Sequence, residues 1–115
     1  MLFRSAVTVD GTATLTNKTL TNPTVNNYTE GVVAIGNTGT SQTLSLTSGT
    51  FQTATLTGNC TFTMPTATAG KSFILILTQD GTGGRTATFT SVKWPGGVAP
   101  TITTTATTEI GRAHV

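Results

Sequence analysis

Charge is scarce in this chain: only 9% of its 115 residues are Asp, Glu, Lys or Arg, against roughly a quarter in an ordinary globular domain. A disordered polyelectrolyte needs more charge than this, and so does a soluble helical protein with solvated faces. The formal charge is +2, and the basic residues Arg4, Lys18, Lys71, Arg85, Lys93 and Arg112 are scattered. Nucleic-acid binding wants them clustered, so no nucleic-acid partner is expected. Cys60 is the only cysteine, which excludes an intrachain disulfide. The longest apolar run is Phe73–Leu77, far short of the roughly 20 residues of a membrane-spanning helix, and no membrane insertion is expected. The opening MLFRSAVTV lacks the apolar stretch of a secretory signal.

Catalytic groups are equally few. The carboxylates are Asp10, Glu30, Asp80 and Glu109, with no closely spaced pair for general acid and base work. Cys60 has no credible histidine partner and sits at an alternating apolar position, which makes it a core residue. The expectation is a protein that is not an enzyme, with no catalytic residue, no cofactor and no metal.

What the chain has instead is threonine, at more than a quarter of its positions. A β-branched side chain suits a pleated surface and loses rotamer freedom in a helix. No window places apolar residues at i, i+3, i+4 and i+7 over three turns. The chain reads as all-β. Alternation with period two marks strands at Gly31–Ile35, Thr43–Leu46, Phe51–Leu56, Cys60–Met64, Lys71–Gln79, Thr86–Thr90 and Thr101–Thr105. In Lys71–Gln79, Phe73, Leu75 and Leu77 face one way and Ile74 and Ile76 the other, which predicts a central strand covered on both faces. Strands every 8–12 residues, divided by Gly, Asn and Pro, predict an antiparallel β-sandwich or jelly-roll-like domain over residues 31–108.

Residues 1–30 read differently, as an extended, fibrous β segment. Thr14–Tyr28 divides into TLTNK, TLTNP and TVNNY, with Leu15, Leu20 and Val25 five apart and Asn17, Asn22 and Asn27 likewise. One apolar residue in five buries too little surface to order a lone chain. Three chains wound about a common axis could share Leu15, Leu20 and Val25 as a narrow core, so a homotrimer is the expected assembly.

Motifs that suggest small-ligand chemistry dissolve on inspection. Gly70-Lys71-Ser72 has Pro65 where a phosphate loop needs its first glycine, and a strand follows rather than a helix, so it reads as a turn. QDGTGGRT (Gln79–Thr86) offers one carboxylate where a calcium loop needs several, and reads as a tight hairpin. Thr-x-Thr pairs could suit an ice-binding face, but their spacing along the chain is irregular. Candidates for surface contact are Tyr28, which ends the repeat, and Lys93 with Trp94 beside a Pro-Gly-Gly turn. Trp94 could stack on sugar or cap the end of a core.

The last seven residues, EIGRAHV (Glu109–Val115), contain no threonine and hold the only histidine. One reverse translation, GAG ATC GGA AGA GCA CAC GTC, resembles a sequencing-library adapter, so residues 109–115 are expected to be a non-native tail on a truncated domain. The last sheet would then lack a partner strand.

ATLTNKTLTNPTV, and then ATLTGNCTFTMPTATAGKSFILILTQDGTGGRTATFTSVKWPGGVAPTITTTA, together resemble tail-fibre and related virion appendage proteins of tailed bacteriophages. The resemblance spans Ala13–Ala106 and implies a virion component of the tail, a homotrimeric fibre with an extended shaft, and a module that binds a host-surface glycan or protein. The reading from another class is a monomeric carbohydrate-binding module of a secreted bacterial protein. Oligomeric state separates the two.

Overall fold

A computed structural model describes residues 11–114, with the backbone alone for residues 110–114. The lead over residues 1–10 and Val115 lie outside the described residues. Seven strands follow the extended segment: β1 (Val32–Asn37), β2 (Ser41–Thr43), β3 (Phe51–Leu56), β4 (Cys60–Thr63), β5 (Ile74–Gln79), β6 (Ala87–Thr90) and β7 (Glu109–His114). No α-helix occurs among the described residues. The chain is all-β, as its composition required.

The pairing is not that of an antiparallel sandwich or jelly roll. Successive strands alternate between two sheets, one ordered β1-β3-β5-β7 and the other β2-β4-β6. Every pairing among β1 to β6 is parallel. Each strand therefore bonds to the strand two places on, and the chain winds as a flattened coil whose two sheets enclose the core. The corners explain the difference. At each one the backbone bonds to the next coil rather than folding back on the strand just left. The Thr38 amide donates to the Thr55 carbonyl (3.0 Å), Thr61 to Thr40 (3.0 Å) and Asp80 to Leu56 (3.1 Å). The Asp80–Gly84 loop likewise links β5 to β6 in the opposite sheet, so it is a corner and not a hairpin.

β1, β3, β4, β5 and β6 overlap the strands that alternation predicts, whereas β2 shares only Thr43 with the expected Thr43–Leu46; the inner faces build the core. Leu44, Ala54, Leu56, Cys60, Phe62, Phe73, Leu75 and Leu77 are buried together, with Ile35, Leu46, Met64, Ala87 and Phe89 packed against them. Parallel register stacks like on like: Phe62 lies opposite Phe89, and the rings stack with centroids 5.3 Å apart at 19°. Two buried glutamines close the corners. The Gln52 side-chain amide donates to the carbonyls of Ser45 (2.6 Å) and Gly49 (2.9 Å). That of Gln79 donates to Arg85 (2.7 Å) and Thr103 (2.9 Å), while its oxygen accepts from the Arg85 amide (3.0 Å).

Two further expectations are corrected. β5 is central in its sheet but covered on one face only, for Ile74 and Ile76 stay half-buried on the outside. Thr101–Thr105 is not a strand. The segment is strapped across the corner instead, with Gly84 donating to the Thr104 carbonyl (2.8 Å) and Thr107 to that of Asp80 (3.0 Å). Residues expected as a tail, Glu109–His114, run antiparallel along β5 as β7.

Candidate interaction surface

The five-residue period of the sequence is also a period of the backbone. Asn17, Asn22 and Asn27 have φ of 54°, 48° and 49°, the left-handed region that asparagine tolerates and β-branched residues avoid. Each such residue turns the chain two positions after an apolar one, which puts Leu15, Leu20 and Val25 in equivalent places. Those side chains are 48%, 59% and 56% exposed. Among the described residues, no backbone hydrogen bond ties residues 11–30 to the domain. Complete burial of a leucine or valine is worth about 1.5–3 kcal/mol, and around half of that is unrealised at each position in a single chain.

At the foot of this segment Tyr28 (66% exposed) meets the domain. A cleft of about 570 Å³ is lined there by Tyr28, Thr29, Glu30, Val32, Phe51 and Ile74. The register puts Val32, Phe51 and Ile74 side by side at the starts of three neighbouring strands, on the outer face of the four-stranded sheet. The next row on that face is Ala34, Thr53 and Ile76, and the last is Asn37, Thr55 and Thr78. Apolar character thus fades with distance from the extended segment. The outer face of the other sheet is hydroxylated throughout: Ser41, Thr61 and Thr88 form one row and Thr43, Thr63 and Thr90 the next. Parallel stacking aligns Thr-x-Thr pairs whose spacing along the chain is irregular. The row of Val32, Phe51 and Ile74 escaped sequence reasoning because 19 residues separate the first pair and 23 the second. The available signal was Phe51 pointing away from Ala54 and Leu56.

Lys93 and Trp94 lie elsewhere. Trp94 lines a separate cleft of about 230 Å³ with Phe89, Pro100 and Ile102. Its indole meets the Phe89 ring edge-on, with centroids 5.8 Å apart at 72°. It is half-buried as the cap of the Phe62–Phe89 stack, whereas Lys93 is exposed. Tyr28 and Trp94 line different clefts, so the structure does not join the contact residues that the sequence singles out.

Ionisable groups are structural where they interact. One Asp80 carboxylate oxygen accepts from Nε and Nη2 of Arg85 (3.1 and 2.9 Å) and the other from the amides of Thr82 and Gly83 (3.1 and 2.8 Å). The Arg85 guanidinium is the main reason the Asp80 carboxyl lies below the usual carboxylate range. Burial pushes the Cys60 thiol up, opposed by a contact with Thr38. Among the described residues no three His, Cys, Asp or Glu side chains gather as a metal site would require.

Residues 40–110 match the model of the family described as "Putative phage tail fibre C-terminal domain". Comparison with curated proteins and with solved structures gives no match.

Proposed function

The chain belongs to the phage tail fibre C-terminal domain family, and from that premise we propose that it is a structural piece of a virion tail fibre in which three copies stand side by side. The observation that carries this reading is the repeat: Leu15, Leu20 and Val25 sit in equivalent backbone positions and stay exposed in one chain. Three copies around an axis give those side chains a shared core, while Thr and Asn keep to the outside. The coiled domain suits a mechanical part, since each coil leans on its neighbours through continuous parallel ladders and stacked core residues.

Attachment to the host is the second half of the proposal. The exposed Lys93 and the turn after Trp94 stand on the opposite sheet from Tyr28 and offer a polar, partly aromatic contact for a surface glycan or protein. Three weak contacts presented on one fibre gain avidity that one copy lacks. Multi-angle light scattering tests the assembly: a mass of three chains is expected, and a monomer with residues 11–30 ordered would defeat the reading. Glycan-array binding that is lost on Lys93→Ala, with the fold intact, supports the attachment half; binding unchanged by that substitution refutes it.

A further inference from the structure

We infer that the outer face of the four-stranded sheet, at the row of Val32, Phe51 and Ile74 with Tyr28 beside it, packs against the same face of second copies of this chain. The inference rests on the proposed trimer and extends its interface from the repeat onto the domain.

Three observations converge. The first is continuity. Leu15, Leu20, Val25, Tyr28 and Val32 are the exposed large hydrophobic residues of the segment and of the first strand, and they follow one another into the cleft that Phe51 and Ile74 line. An axis that passes through the repeat therefore runs on to this row. The second is the gradient. Across β1, β3 and β5 the row nearest the repeat is apolar, the next mixes Ala34 and Ile76 with Thr53, and the farthest is Asn37, Thr55 and Thr78. Contact with copies that converge on an axis would be closest at the repeat and would open away from it, which is the order the residues follow. The third is contrast in chemistry. The two sheets share one coil, yet one outer face is apolar where it meets the segment and the other carries Ser and Thr at all six positions.

Charge decides the occupant. None of the nine residues of these rows on β1, β3 and β5 is ionisable; the register continues the rows onto the edge strand β7 at His114, Arg112 and Glu109, and Glu30 is the carboxylate among the described residues that line the cleft. On the three strands nearest the repeat a charged partner would find nothing to pair with, and a glycan would find few hydrogen-bonding groups at the row of Val32, Phe51 and Ile74. Identical uncharged faces meet without repulsion. Three apolar residues per chain in the repeat are also few against the entropy lost on association, so a wider contact is needed for a lasting trimer.

The test is photo-crosslinking of the full chain with benzoylphenylalanine placed at position 51, at position 20 in the repeat, and at exposed position 88 on the hydroxylated face. Bands at two and three chain masses from position 51, and none from position 88, are expected. Bands from position 20 but not from 51 overturn the inference and leave the trimeric repeat standing. Bands from 51 but not from 20 keep the inference and remove the repeat from the interface. Absence from both overturns both. A second readout uses Phe51→Thr with Ile74→Thr, which leaves a strand-forming β-branched residue at both positions. Circular dichroism should show the native sheet content, and the trimer should dissociate at concentrations at least tenfold higher than the parent chain; an unchanged dissociation curve overturns the inference.

Discussion

Gly83 shows how closely the last coil is built. Its φ is +70°, and a Cβ added there would lie 2.6 Å from the Thr104 carbonyl oxygen and 2.8 Å from the Ala106 nitrogen. Both are backbone atoms of the strap that the corner holds, so neither can swing aside. Gly83→Ala should therefore destabilise by about 2–4 kcal/mol, combining the cost of an unfavourable φ with that of overpacking, and a urea midpoint measures it. Three residues earlier, Asp80 gives a dependence on pH. Arg85 and the turn amides favour its ionised form, so its folded pKa lies below its unfolded one. Under those conditions the unfolded chain takes up the proton first as acid is added. The contribution is complete above the ordinary carboxylate pKa of about 4 and disappears as pH falls through the lower folded value. Melting curves of the parent and Asp80→Asn should be separated at pH 7 and should converge as pH drops below about 4.

At the scale of elements, what the sequence displays is which way each side chain points. It hides which strand lies next to which. Phe51, Ala54 and Leu56 take the faces that alternation assigns, and β3 spans Phe51–Leu56 as expected. Yet a Gly- or Asn-rich corner and a hairpin leave the same mark in a sequence, and the coils differ in length, so no fixed repeat announces a solenoid. The stack of Phe62 on Phe89 was out of reach for that reason: 27 residues separate two phenylalanines that only parallel register brings together. The asparagine period was visible, and the tolerance of asparagine for positive φ links it to backbone shape. Two predictions belong here. Phe62 is fully buried, so Phe62→Ala should cost about 3–5 kcal/mol, whereas Trp94→Ala removes a half-buried cap and should cost clearly less; thermal melts rank the two. Replacing Asn17, Asn22 and Asn27 together by Gly should preserve the oligomer, because Gly also accepts left-handed φ. Replacing all three by Val should abolish it, at about 1–2 kcal/mol of strain per residue. Equal masses for the two variants in light scattering would show that the repeat does not depend on this conformation.

For the whole molecule, the decisive property is how little of the proposed association depends on charge. Leu15, Leu20 and Val25, and the row of Val32, Phe51 and Ile74, are all uncharged. An ion-paired interface weakens as salt screens it, with a Debye length falling from about 30 Å at 0.01 M to about 3 Å at 1 M. An apolar one does not, and excluded salts such as sulfate strengthen it. The trimer should accordingly keep its mass from 0.01 to 1 M sodium chloride. It should also resist dilution more in sodium sulfate than in sodium chloride at equal ionic strength. Changing Leu15, Leu20 and Val25 to Ser removes the apolar positions of the repeat while leaving the domain's own core of Leu56, Phe62 and Leu75 untouched. That chain should give the same β-sheet spectrum and a mass shifted toward one copy. Salt-induced dissociation of the parent chain would move the interface off the uncharged rows of β1, β3 and β5 and onto charged positions such as those of β7. A triple-serine chain that remains trimeric would move the burden of assembly from the repeat to the sheet face. The order in which these two surfaces fail under substitution thus measures how three copies divide the work of standing together.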